Sequence, residues 1–164
     1  MQNKRRYIVF GVIISIVLCL TLLLVQCQRE AATDIPNRLL EVDEGAVQWE
    51  GDKNQLSDQT PGTIAIPGFD ELSFVADQKQ QYVNFHNPEV NDCLFLMTLY
   101  IQGEPYWQSG YVEPGKGYYT IELSATIPVG EYEGELRIQC FKRSGTELNS
   151  AWVTFDLHVL EDYT

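Results

Sequence analysis

Few side chains in this sequence have the chemistry of a reactive centre, and they do not cluster. The only histidines are His86 and His158. Each alternates with apolar neighbours, Phe85 in one case and Leu157 and Val159 in the other, which puts both imidazoles on outward strand faces as solvated residues. Cys93 and Cys140 fall instead on registers that point inward. If their strands are antiparallel neighbours, a disulfide can close between them, worth typically about 2–4 kcal/mol; two buried reduced thiols acting as small apolar residues are the other reading. The acidic groups Glu41-Val42-Asp43-Glu44 and Glu131, Glu133, Glu135 lack the ligand spacing around a glycine that a calcium loop requires, and read as surface charge. The sequence holds no G-x-S-x-G elbow, P-loop, dinucleotide fingerprint or H-E-x-x-H motif. The expectation is a non-enzyme with no cofactor and no metal.

The elements that position these residues begin with a membrane span. Residues 7–25, YIVFGVIISIVLCLTLLLV, carry no charge. As a helix they reach about 28 Å, close to the hydrocarbon thickness of a bilayer. Lys4, Arg5 and Arg6 precede the span and no comparable basic cluster follows, so residues 1–6 are expected in the cytoplasm and the rest outside the cell. The apolar run is longer than a cleavable signal peptide needs, which favours a retained signal anchor. Leu24-Val25-Gln26-Cys27 distantly resembles a lipobox, but Gln26 is not small, so Cys27 reads as an unmodified juxtamembrane cysteine. Beyond residue 27 lie all 23 acidic residues and 8 of the 11 lysines and arginines. Such a surface repels phosphate backbones, so nucleic acid is not a partner.

Residues 26–62 are rich in Asp, Glu, Gln and Asn without helix or strand periodicity, and are expected to be a mostly disordered acidic linker. Within it Leu39, Leu40, Val42, Val47 and Trp49 offer material for a short docking element. From Thr63 onward, period-2 alternation recurs between turn signals about every ten residues. Cys93, Phe95, Met97, Leu99 and Ile101 form one face of a strand; Tyr132, Gly134, Leu136, Ile138 and Cys140 form one face of another. Tyr119, Ile121 and Leu123 read as inward on a third, and Val153, Phe155, Leu157 and Val159 on the last. Seven or eight short strands in residues 63–164 predict an all-β, immunoglobulin-like antiparallel β-sandwich, preceded by the N-terminal transmembrane helix and flexible linker. Tyr132, after a glycine turn, suits a tyrosine corner.

Ile64-Ala65-Ile66-Pro67-Gly68-Phe69, then Asn84-Phe85-His86-Asn87-Pro88 with Cys93 five residues on, then Val112-Glu113-Pro114-Gly115 and Gly130-Glu131-Tyr132, resemble the pattern of a group of small surface proteins of Gram-positive gut bacteria. Those proteins pair a single N-terminal span and an acidic linker with one such domain. The resemblance covers nearly the whole chain. It implies a fold and an address and carries over no catalytic residue.

The strand CLFLMTLYIQ gives the clearest sign of a partner. With its odd-numbered residues in the core, Leu94, Leu96 and Tyr100 stand on the other face, and Phe141 and Trp107 extend that patch. An exposed apolar patch rimmed by charge marks an interaction site; the opposing reading is that the linker, Trp49 included, folds back over it. The expected function is a membrane-anchored extracellular interaction module, held in the lipid bilayer by residues 7–25 and contacting another surface protein or cell-envelope component. The alternative is a sugar- or peptide-binding domain using Tyr106, Trp107, Tyr111, Tyr118 and Tyr119.

Overall fold

A computed structural model describes residues 40–51 and 63–162. The basic tail, the apolar segment 7–25, Cys27 and most of the linker lie outside the described residues. Among those described, no helix is long and apolar enough to cross a membrane.

The described residues form eight strands and no helix, seven of them from the period-2 pattern after Thr63. They are β1 (Val47–Gln48), β2 (Glu71–Val75), β3 (Gln80–His86), β4 (Leu94–Ile101), β5 (Glu104–Val112), β6 (Lys116–Glu122), β7 (Gly130–Phe141) and β8 (Glu147–Leu160). One sheet has the order β1-β6-β3 and the other β2-β8-β7-β4-β5. All neighbours are antiparallel except β2 and β8, which run parallel from Glu71↔Asp156 to Val75↔Leu160.

Local chemistry explains the connections. β4 and β5 are joined by Gln102 and Gly103, both at positive φ (54° and 80°), the pattern of a type I′ hairpin turn whose twist matches its strands. The strand resumes at Glu104 and tolerates Pro105 because β5 is an edge strand. Glu113-Pro114-Gly115-Lys116 closes with Lys116 N–H donating to the Glu113 carbonyl at 3.1 Å and Gly115 at φ 77°, as a type II turn with proline second and glycine third requires. The Asn87 to Asp92 turn is pinned from inside. Asn87 Nδ2 donates to the carbonyls of Cys93 and Val112, and Asn91 bonds both the N–H and the carbonyl of Ala65. These buried amides are satisfied, so burial costs them little.

The core lies between the sheets and is built from the inward registers: Phe95, Met97 and Leu99 of β4, Leu136 and Ile138 of β7, Phe155 and Leu157 of β8, facing Val83 and Phe85 of β3 and Ile121 of β6. One inward and one outward assignment differ. Tyr119 is exposed and Tyr118 is buried in its place, because the β3–β6 pairing shifts register between Tyr82 and Phe85. His86, expected on a wet face, is only 8% exposed. Trp49 lies flat on its ring, with centroids 3.7 Å apart and an 8° interplanar angle.

That contact belongs to the largest difference between sequence and structure. Residues 40–51 form a strap bound along the domain, in the same compact unit as the sheets. Leu40 N–H donates to the Arg143 carbonyl, Asp43 N–H to that of Tyr111, and Trp49 N–H to that of Gly115. Val42 bridges Tyr111 in parallel and Val47–Gln48 pair with β6. Trp49 Nε1 donates to Asn84 Oδ1 at 2.6 Å. Asp43 Oδ2 accepts from Gly110 N–H at 2.6 Å and from the Tyr118 hydroxyl, while its Oδ1 accepts from Gly45 N–H at 2.7 Å. The docking element, and not an unstructured stretch, is what these residues make.

Candidate interaction surface

The outward registers of the five-stranded sheet make a continuous face, whose pairing can be read row by row. Thr98, Arg137 and Trp152 are level across β4, β7 and β8. Tyr100, Glu135 and Thr154 form the next row, Leu96, Gln139 and Ser150 the row on the other side, and Leu94 faces Phe141 beyond it. Tyr111 of β5 pairs with Leu96.

Aromatic side chains gather on this face. Tyr111 meets Phe141 edge to face at 5.3 Å, and Tyr100 meets Trp152 at 5.5 Å. The Arg137 guanidinium sits over the Trp152 ring at 5.5 Å. Trp152 remains 52% exposed, a large apolar surface left in water. Such rings supply area at low entropic cost, and tryptophan and arginine are the residues most often found at the energetic centre of protein interfaces.

The residues expected in the patch divide. Leu96, Tyr100 and Phe141 are half-buried on the outer face. Leu94 belongs to the same register but is 1% exposed. The strap passes along this end of the face, at Arg143 and Tyr111, so the folded-back linker accounts for part of the stripe while Trp49 sits elsewhere, on His86. Trp107 is turned the other way. It packs on Tyr118 at 5.0 Å and Phe85 at 5.9 Å, between the sheets. The sequence does not signal Trp152, because the inward register of Val153, Phe155, Leu157 and Val159 dominates the pattern of β8.

The aromatics of the alternative reading do not converge on one place. Tyr106 and Trp107 pack against the core, Tyr118 is tied to Asp43, Tyr111 lies on the outer face, and Tyr119 accepts a bond from Glu50 N–H beside the strap. The Tyr132 hydroxyl donates to the Pro128 carbonyl at 3.0 Å. His158 is half-buried, with Nδ1 2.5 Å from a Glu131 carboxylate oxygen. Among the described residues no group of three or more His, Cys, Asp or Glu is placed to hold a metal ion.

Cys93 and Cys140 are free, buried thiols: Cys140 lies on β7, paired with Phe95, and Cys93 sits just before β4, two residues ahead of Phe95. Burial pushes both thiols up, Cys140 to about 12 with the neighbouring Cys93 adding to the effect. Thiolate is the reactive form, so both side chains are expected to be inert in the native protein. Alkylation of the native full-length chain at pH 8, followed by peptide mass spectrometry, should leave Cys93 and Cys140 unlabelled and should label both in denaturant. Labelling of native Cys140 at the rate of a free thiol would contradict its burial.

Compared against protein families, curated proteins and solved structures, the chain finds no match.

Proposed function

We propose that this chain is a single-pass, membrane-anchored interaction module without catalytic activity, whose immunoglobulin-like domain presents the outer face of its five-stranded sheet to another macromolecule at the cell surface. The observation that carries the reading is the exposed Trp152 with Arg137 over it and Tyr100 beside it. Two features support the immunoglobulin-like assignment. The order β8-β7-β4-β5 opposite β6-β3 is that of a G-F-C sheet extended by one edge strand and facing E and B; β4 and β7 then stand for C and F. The Tyr132 bond to the carbonyl four residues upstream is the one a corner tyrosine makes at the start of strand F. The single span of residues 7–25 and the basic residues before it support the anchored, outward-facing topology, and the resemblance to Gram-positive surface proteins agrees with it.

A photoreactive amino acid placed at Trp152 or Tyr100 of the full-length protein in membranes is expected to give discrete crosslinked species. The same probe at Tyr82, 67% exposed on β3 of the other sheet, should give none. Equal yields from both faces would refute the outer face as the contact surface.

A further inference from the structure

The outer face carries opposite charges on successive rows, at Arg137 and Glu135. Arg137 and Glu135 are successive outward residues of β7, both half-buried, and neither makes an ion pair among the described residues. Arg137 Nε is inaccessible to water and has no hydrogen-bond acceptor. With Nε closed off and the guanidinium over the Trp152 ring, its terminal nitrogens, which make no ion pair among the described residues, are the donors left for a partner carboxylate.

We propose that the partner of this face is a second copy of the same chain, packed sheet to sheet with strands antiparallel; the inference rests on the outer face being the contact surface. A two-fold axis lying in the interface, perpendicular to the strands and midway between the Arg137 and Glu135 rows, brings each row of one copy against the other row of its mate. Arg137 then meets Glu135 of the second copy, and the reciprocal pair forms by symmetry. Trp152 lies opposite Thr154 of the second copy, because those residues share rows with Arg137 and Glu135. This is the self-complementarity that an isologous interface demands. An axis parallel to the strands through β7 sets Arg137 against Arg137 and is excluded by like charge. A small threonine opposite the bulky indole allows the sheets to approach at the tryptophan. Unlike a foreign partner, a second copy needs no charge pattern other than the one present.

The test uses full-length chains carrying two different tags, co-expressed and co-purified from detergent. Wild type is expected to co-purify with itself. Arg137→Glu makes the central pair acidic on both copies, and Glu135→Arg makes it basic, so each should lose self-association by about tenfold or more. Mixing the two variants restores opposite charges across the axis, and the mixed pair should co-purify like wild type. The double variant Glu135→Arg/Arg137→Glu should again associate with itself. Rescue in the mixed pair also shows that both single variants fold. Absence of wild-type self-association, unchanged association of Arg137→Glu, or no rescue in the mixed pair would each overturn the proposal. If the Trp152 photoprobe still captures a different protein in those cases, the outer face stands as a contact surface and only its occupant changes; if it captures nothing, both readings fall.

Discussion

Replacing Asp43 with alanine is expected to lower the stability of the domain by about 3 kcal/mol, far more than a substitution in an acidic linker would. Its carboxylate joins three elements: it accepts from Gly45 N–H within the strap, from Gly110 N–H on edge strand β5, and from the Tyr118 hydroxyl on β6 of the opposite sheet. Hydrogen bonds to a charged group are worth roughly 1.5–3 kcal/mol each, and removing the acceptor leaves a half-buried N–H and a buried phenol without their partner. Burial works to raise the Asp43 pKa, but the bonds from Tyr118, Gly110 and Gly45 outweigh it and hold the group below its ordinary value of 3.8. A carboxyl whose folded value is depressed stabilises the fold above its unfolded pKa, and that contribution fades as pH falls through the folded value. The gap in urea midpoint between wild type and Asp43→Ala should therefore be full at pH 7 and shrink below about pH 4. A gap independent of pH down to strong acid would mean that the carboxylate charge is not what holds the strap.

Leu94→Glu and Tyr100→Glu stand on one register of one strand and are expected to behave in opposite ways. Leu94 is almost fully buried, so glutamate there loses the burial of a leucine and must either bury a charge without a partner or take up a proton to avoid it. A cost of about 4 kcal/mol follows, enough to unfold much of the population of a marginally stable domain. Tyr100 is half-buried and meets Trp152 along one side, so its replacement should cost about 1 kcal/mol, the scale of one aromatic contact. Thermal melts of the two variants separate the cases directly. Similar melting temperatures would mean that Leu94 is open to water.

The two faces of β4, β7 and β8 were legible because period-2 alternation is a direct image of the pleat, and Phe95, Met97, Leu136, Ile138, Phe155 and Leu157 are all in the core as their spacing requires. Alternation does not say whether the second face stays open. Leu94 and Tyr100 look alike in the sequence, and the strap at Arg143 and Tyr111 borders the end of the face where Leu94 lies. Nor does alternation survive a shift in pairing, which is why Tyr118 and Tyr119 exchanged places. The strap had no period to find. Its order comes from one aspartate, one tryptophan and a few backbone bonds to edges that exist only once the sheets have formed. His86 illustrates the same dependence, since its burial is supplied by Trp49, thirty-seven positions earlier in the chain. Of the surface, the outward registers of β4 and β7, Arg137 included, were visible in advance. Trp152 was hidden in β8, whose inward residues dominate its pattern, and its contact with the Arg137 cation was hidden with it.

The parallel pairing of β2 with β8 has a mechanical consequence. If the chain is pulled at its two ends, β2 is drawn backward from Glu71 and β8 forward from Leu160. The two strands then slide past each other, and the ladder between Glu71↔Asp156 and Val75↔Leu160 is loaded in shear, its bonds sharing the force at once instead of opening one by one. The strap lies on the N-terminal side of this clamp and is held at separate points, at Leu40, Asp43 and Trp49, so it peels away first. Twelve strap residues paid out at about 3.4 Å each release roughly 40 Å of slack before the sheets bear any tension. A domain loaded through its two ends therefore yields in two stages, an extensible lead followed by a stiff clasp.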